Sequence, residues 1–462
     1  MIRLTDEQMR DFIRNGYVAV KTGHPREFHQ DVWNQTEALF EEDGNPGNNL
    51  MARIPAIRQI LDDPAVDGAL AGVLGNNYFI HPHRHCHYRP PHSEGQQIHR
   101  DSFTRRRHRT RWLLAMYYPQ DTTVEMGPTG VLPGTHYYNW LVGPIGLNMR
   151  LDTTEGEVPV VVEAGTVLMV HYDLWHRGMG NSTDKKRYMM KFMFARIEEP
   201  QAPSWNSQDN EWPDDDASAL NGVWSQMWRW YSGAASNGAP PANGNGNGSI
   251  PELIANIKVD DETTCLASAY TLGSLGEAAV PALIDTLQHE NEAVRRNASY
   301  ALSTIGAAAV PALLDAVADE NEGTRSMAVE TLADLGFLGD EAMPALTGAL
   351  NDDSIEVRRH AVDALGISLQ DSANGVPALI EALGDEDELM RRGAALALSR
   401  IGEKAEEATP ALTHALNDEN RYVRGKAVHA LQRIGTPAAQ DALVHFLLTS
   451  QWCYSTNKDS LY

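Results

Sequence analysis

The chain has 462 residues, with 62 acidic against 38 basic side chains and a formal net charge of −24. That length accommodates two ordinary domains, and so acidic a balance argues against a nucleic-acid partner, which calls for a basic footprint. Cys86, Cys265 and Cys453 are well separated and one is left over, so no disulfide framework or cysteine metal site is expected. They fit a reducing cytoplasm. No signal peptide is evident and no run approaches membrane-spanning length, so no membrane association is expected.

The N-terminus goes straight into an amphipathic helix. Further on, His81, His83, His85 and His87 alternate, which on a strand gives four imidazoles one face. His85 and His87 are candidates to line a pocket. The plainer reading is a half-exposed strand with hydrogen-bonded imidazoles. His99-Arg100-Asp101 follows. Two ligands two apart on a strand point the same way, and a third from a distant strand closes a two-histidine, one-carboxylate triad. That set leaves positions open and suits non-haem Fe(II) handling O2 and a chelating co-substrate. Next come five arginines in seven residues, Arg105 to Arg111. Arg105 and Arg109 are candidates to receive an anionic substrate, against the alternative of a solvated loop paired with acidic neighbours.

From Gly165 an apolar strand runs into a short turn and reaches His176, the candidate third ligand; His171, five residues earlier, is its rival. A polar loop then leads past Arg187 into a second strand, Tyr188 to Ala195. Residues 201 to 232 are rich in tryptophan. Gly222 to Tyr231 reads as an amphipathic helix carrying Val223, Met227 and Trp230 at helical spacing. Its expected role is structural, closing the first domain, with a lid as the sharper alternative. Residues 233 to 249 combine Pro-Pro with repeated Asn-Gly and make a flexible linker.

Beyond the linker the sequence repeats. Prolines at 251, 281, 311, 344, 377 and 410 each open an apolar helix, where a missing amide costs nothing. An acidic turn and a second helix follow, beginning near Val294-Arg295, Thr324-Arg325, Val357-Arg358, Met390-Arg391 and Val423-Arg424. In the degenerate first unit Cys265 replaces the repeated arginine. One such hairpin cannot bury its apolar face alone, so about six units stack over 250–450, Gln440 to Leu448 caps them, and 451–462 is a loose tail. Residues 250–462 hold 33 acidic and 15 basic residues, which reads as a solvated acidic rim.

Two resemblances follow from these residues. The His99-x-Asp101, His176 and Arg187 series is joined by Leu4-Thr5-Asp6-Glu7-Gln8 running to Gly16-Tyr17-Val18, by Glu125-Met126-Gly127-Pro128-Thr129, and by Leu132-Pro133-Gly134-Thr135-His136. Together they resemble the phytanoyl-CoA dioxygenase family of Fe(II)/2-oxoglutarate oxygenases. The resemblance implies a multidomain chain whose residues 1–232 form a β-rich double-stranded β-helix, a cupin-like jelly-roll. It implies that His99, Asp101 and His176 hold Fe(II) and that Arg187 pairs with the far carboxylate of 2-oxoglutarate, its planar fork matching a carboxylate. The reaction would consume O2 and 2-oxoglutarate, release succinate and hydroxylate a small-molecule or acyl substrate. Related halogenases replace the carboxylate ligand by a small residue, whereas this chain keeps Asp101. The helical arm is similar to HEAT-type repeats, also seen in phycobilisome-lyase-like proteins, an all-α solenoid suited to a protein partner. A catalytically silent jelly-roll scaffold is the alternative. Iron held in the repeats, as in deoxyhypusine hydroxylase, is disfavoured because they offer only His289-Glu290.

Overall fold

Leu114, Met116 and Tyr118 alternate along one stretch of the chain, Leu168 and Val170 along another, Met189 and Met193 along a third. Residues two apart on a strand share a face, and these seven, with Val131 and Val160, form one buried cluster. In the computed structural model, which describes residues 1–102, 108–138, 155–213, 218–234, 248–336, 340–368 and 374–449, that cluster fills the space between two antiparallel sheets. The strands are β1 (Tyr17–Lys21), β2 (Tyr78–Arg89), β3 (Trp112–Tyr118), β4 (Thr129–Val131), β5 (Val158–Val160), β6 (Thr166–His171), β7 (His176–Gly178) and β8 (Arg187–Arg196). The larger sheet runs β1-β6-β3-β8-β2 and the smaller β5-β4-β7. The expected two-sheet jelly-roll is there, and β8, an inner strand of the larger sheet, is buried along its whole length.

Helices α1 (Asp6–Asn15), α2 (Arg26–Glu42), α3 (Leu50–Arg53), α4 (Ala56–Leu61) and α5 (Pro64–Leu74) accompany this sheet, α5 packing on β1, β2 and β6. A reciprocal Thr5–Gln8 cap starts α1. The tryptophan-rich segment folds back onto that helix. Trp205 Nε1 donates to Asp6 at 2.6 Å, and Arg10 and Arg14 lie over the rings of Trp228 and Trp212 at 5.2 and 4.9 Å. Helix α6 (Asn221–Tyr231) buries Val223, Met227 and Trp230, as its spacing predicts.

The repeats are helix pairs: α7 (Ile250–Asn256) with α8 (Glu262–Ser274), α9 (Val280–Leu287) with α10 (Glu292–Ile305), and α11 (Val310–Ala316) with α12 (Glu322–Leu335). Then come α13 (Met343–Ala349) with α14 (Ile355–Ser368), α15 (Val376–Ala382) with α16 (Glu388–Ile401), α17 (Thr409–Ala415) with α18 (Arg421–Ile434), and a last helix α19 (Pro437–Thr449). Each repeated arginine bends back onto its own inter-helix turn. Arg295 Nη1 donates to the His289 and Glu290 carbonyls at 2.7 and 2.8 Å, and Arg325, Arg358, Arg391 and Arg424 do the same. They satisfy carbonyls that a helix end leaves without partners. Cys265 takes this place in the first repeat, its thiol donating to the Val259 carbonyl at 3.2 Å. The stretch Glu292–Ala316 is long and apolar enough to cross a membrane by composition, a point the sequence reading missed. Here it is α10 and α11 with a turn between them, and 61% of its 18-residue apolar window is buried.

Packing divides the chain at Leu335/Gly336 into two compact units, not at the linker, of which residues 235–247 lie outside the described set. The first unit joins the jelly-roll to the first three repeats through His108-Arg109-Thr110-Arg111. His108 stacks on Tyr300, with ring centres 4.0 Å apart, and meets the Tyr270 hydroxyl at 2.6 Å. Arg111 forks onto Glu199 at 2.8 and 3.0 Å and reaches Asp334 at 3.0 Å. In the second unit, Gly336–Tyr462, neighbouring repeats are tied by Arg359–Asp387 and Arg391–Asp418, at 2.5 and 2.8 Å. The expected loose tail, 451–462, lies outside the described residues.

Candidate active site

His99 and His176 are opposed across an antiparallel bridge, exchanging backbone hydrogen bonds of 2.9 and 2.8 Å. Each imidazole sits 3.0 or 2.9 Å, through Nδ1, from the carbonyl two residues before it, Gln97 or Leu174. Nδ1 is therefore the donor in both rings and Nε2 is left as the ligand atom, the orientation that metal-bound histidines need. The ring centres are 4.8 Å apart, and Asp101 Oδ2 lies 3.6 Å from His176 Nε2. One ligand atom from each of the three comes within 4.8 Å of the others. The residues predicted as a triad converge.

Their protonation suits a divalent cation. Burial alone would raise the Asp101 carboxyl, but Lys191, whose Nζ is 2.7 Å away, and His176 outweigh it and hold the group well below the usual carboxylate range. Burial pushes His176 down to about 4, so its imidazole is neutral at neutral pH. Neutral imidazole and ionised carboxylate are the forms that bind metal.

A cavity of about 300 Å³ opens beside this group, lined by His85, His87, His99, His176, Arg187 and Lys191 among others. Arg187 is 1% exposed. Its Nε and Nη2 donate to the Gly127 carbonyl at 3.0 and 2.6 Å, while its buried Nη1 has no partner. Desolvation lowers it to about 10, still charged at neutral pH. Gly127 has φ +70°, and a Cβ there would lie 2.4 Å from the Met179 carbonyl, so only glycine presents this oxygen to Arg187. Arg187 thus lines the cavity and keeps one buried guanidinium N–H without a partner, a group that the carboxylate of 2-oxoglutarate would satisfy. The donor set fits Fe(II) and the cradle fits the co-substrate.

Other expectations fare differently. His85 and His87 do line the cavity, His87 pushed well below an ordinary histidine by burial. The four-histidine stripe is not continuous, because the β2–β8 register shifts between Ile80 and Arg84. His81 lies instead against Phe79 and Trp112. Arg109 does not join the cavity. It is buried against the repeats, donating to the Asp334 and Ser303 carbonyls, because the segment carrying it is the joint to the solenoid. Arg105 lies outside the described residues. His171 is not brought to the triad; it packs on His136, and its Nδ1 accepts the Asp173 amide at 3.1 Å. No described residue of the tryptophan-rich segment lines the cavity. Sequence reasoning missed Lys191 and Arg89. A signal existed for the first: Lys191 lies four residues after Arg187 on a strand otherwise almost all apolar, so the two share a face.

Jelly-roll, convergent triad and guanidinium-lined cavity are together what a mononuclear non-haem oxygenase would require. The comparisons carry this further. Residues 12–189 match the family model described as Phytanoyl-CoA dioxygenase (PhyH), and residues 250–333, 306–365, 343–416 and 376–453 match HEAT repeats. The chain thus joins a phytanoyl-CoA dioxygenase domain to HEAT repeats, and it is an Fe(II)/2-oxoglutarate-dependent oxygenase using O2. Among solved structures it is similar to the non-haem α-ketoglutarate-dependent carbocyclase SnoK from nogalamycin biosynthesis, at 17% identity, over 42% of this chain and 85% of that one, TM-score 0.36. It is also similar to EctD from S. alaskensis with 2-oxoglutarate and 5-hydroxyectoine, at 17%, 46%, 83% and 0.37 in the same terms. A third is apo HygX from Streptomyces hygroscopicus, at 18%, 46%, 93% and 0.35. Comparison with curated proteins returned no match.

Proposed function

We propose that residues 1–232 are the catalytic domain of a hydroxylase, with His99, Asp101 and His176 as the iron ligands and Arg187 as the partner of the 2-oxoglutarate carboxylate. The observation that carries the reading is the meeting of those three ligand atoms within 4.8 Å beside a cavity lined by Arg187, whose buried Nη1 has no partner. When bound, Fe(II) with 2-oxoglutarate supplies oxidative decarboxylation to succinate and oxidation of a substrate C–H bond. The chain's own residues do the rest. Two imidazoles locked by carbonyls two residues back present Nε2 without reorganising. Lys191 balances the Asp101 charge. Arg187 orients the co-substrate by its fork, and the low-dielectric wall strengthens that contact. Retention of Asp101 favours hydroxylation over halogenation. We assign the substrate to small molecules, acyl compounds included. The HEAT repeats 250–450 are our candidate arm for a protein partner, and the free buried thiols Cys86 and Cys265 accord with a cytoplasmic setting.

The test is succinate formation from 2-oxoglutarate by anaerobically Fe(II)-loaded protein once O2 is admitted, with and without a metabolite pool. Asp101→Ala is the control. Succinate that does not depend on Asp101, or iron that binds equally well without it, would overturn the assignment.

A further inference from the structure

Arg89 ends β2 and stands directly opposite Arg187 in the β2–β8 register, and both line the cavity. Opposed residues of a ladder project to the same face, and like charges so placed destabilise a sheet. Here no carboxylate answers either of them among the described residues. Arg89 donates only to carbonyls, from Nη2 to Gly178 at 3.1 Å and from Nη1 to Glu94 at 3.4 Å. Gly178 admits it, since a Cβ there would lie 2.7 Å from that Nη2. The remaining cations of the lining are matched: Lys191 by Asp101 at 2.7 Å, Arg177 by Glu157 at 2.7 Å. Burial lowers Arg89 with no acidic neighbour opposing the effect.

The charges then sum simply, on the reading that iron and 2-oxoglutarate bind here. Fe(II) and the 2-oxoglutarate dianion cancel, as do the two matched ion pairs. Two guanidinium charges remain in a cavity that water reaches only in part, where an unbalanced charge is costly. Arg187 is the deep one, nearly inaccessible and already bound to the Gly127 carbonyl. Arg89 is half-buried and rests on Gly178, two residues past the proposed ligand His176. We propose that the prime substrate is a small organic carboxylate and that Arg89 receives its carboxylate group, holding the rest of the molecule against the iron. A guanidinium fork suits that task better than a point charge. The arginine run at 105–111 suggested an anionic substrate from sequence; the cavity makes the same demand through a different arginine.

The experiment uses the full chain loaded with Mn(II), which occupies the site without turnover, and saturated with 2-oxoglutarate. It is titrated calorimetrically with hexanoate and benzoate and with the neutral hexanamide and benzamide. We expect at least one acid to bind about tenfold or more tightly than its amide, the worth of a hydrogen-bonded charge. Arg89→Gln should lose that preference and Arg89→Lys keep part of it, while 2-oxoglutarate affinity falls less in both than in Arg187→Gln. Acid and amide binding alike, or neither acid binding, overturns the proposal. So does an Arg89→Gln variant that weakens 2-oxoglutarate as much as Arg187→Gln, because Arg89 would then belong to the co-substrate. Failure of the unaltered protein to bind Mn(II) and 2-oxoglutarate at all would instead overturn the reading of the site on which this proposal rests.

Discussion

Two regions of the first unit bury arginine, and they bury it in opposite ways. At the joint with the repeats, Arg111 is desolvated but meets two carboxylates, Glu199 and Asp334, which raise its pKa above the usual value. Glu199 is in turn held below the carboxylate range: burial pushes it up and Arg111 pulls it further down. At the cavity, Arg187 is as deeply buried, meets one carbonyl and keeps an N–H with no partner, so desolvation lowers it. A satisfied buried charge holds a fold together. An unsatisfied one in a cavity wall is free to take up a ligand.

The contrast predicts which substitutions harm activity and which harm the fold. The largest effect belongs to the proposed metal ligands. His176→Ala or Asp101→Ala should abolish Fe(II)-dependent succinate formation while leaving the circular dichroism spectrum unchanged; turnover near the original level in either would sink the triad. Next is the joint. Asp334→Ala strips Arg111 of one carboxylate and Ser303 of its 2.6 Å acceptor. Removing one partner of a buried ion pair costs about 3–5 kcal/mol. We expect the low end of that range, because Glu199 stays, read as a fall in the urea midpoint. If stability held and 2-oxoglutarate binding dropped instead, the joint would be part of the catalytic apparatus and the contrast would fail. Arg187→Gln should do the reverse, weakening 2-oxoglutarate by about 10–100-fold, the worth of a charged hydrogen-bonding partner, with little loss of stability.

How much of this was legible in sequence follows from the range of the interactions. The triad was, because His99 and Asp101 share a face by spacing and His176 falls in a distinctive strand–turn context. The repeats were, because proline at a helix start recurs with a fixed period, and the arginine that marks each second helix proves to clamp its own turn five and six residues back. The joint was not. Arg109 meets the Asp334 carbonyl across 225 residues, and nothing local to Arg105–Arg111 distinguishes a buried tie from an anion-binding loop. Arg89 was missed for a related reason: its importance lies in standing opposite Arg187, and register is a property of two strands together.

The smallest predicted effect tests the same principle in the second unit. His429 sits on α18 with its Nδ1 2.6 Å from the Ser399 hydroxyl on α16. Burial, then the nearby Arg433, pushes its pKa down to about 4. Because the folded value lies below the unfolded value of about 6.5, protonation favours the unfolded chain. The stability tied to the neutral ring is fully present above pH 6.5 and is lost as pH falls towards 4. Allowing for partial solvent access, that loss is about 1–2 kcal/mol. His429→Gln offers the hydroxyl a partner that does not titrate. The stability difference between the unaltered protein and the variant, measured by urea unfolding, should therefore narrow between pH 7 and pH 4.5. Other groups that titrate in this window, His176 among them, cancel in that difference. A difference independent of pH would mean that the ring is not desolvated, and that the repeats hold their polar side chains in contact with water, as an ordinary surface does.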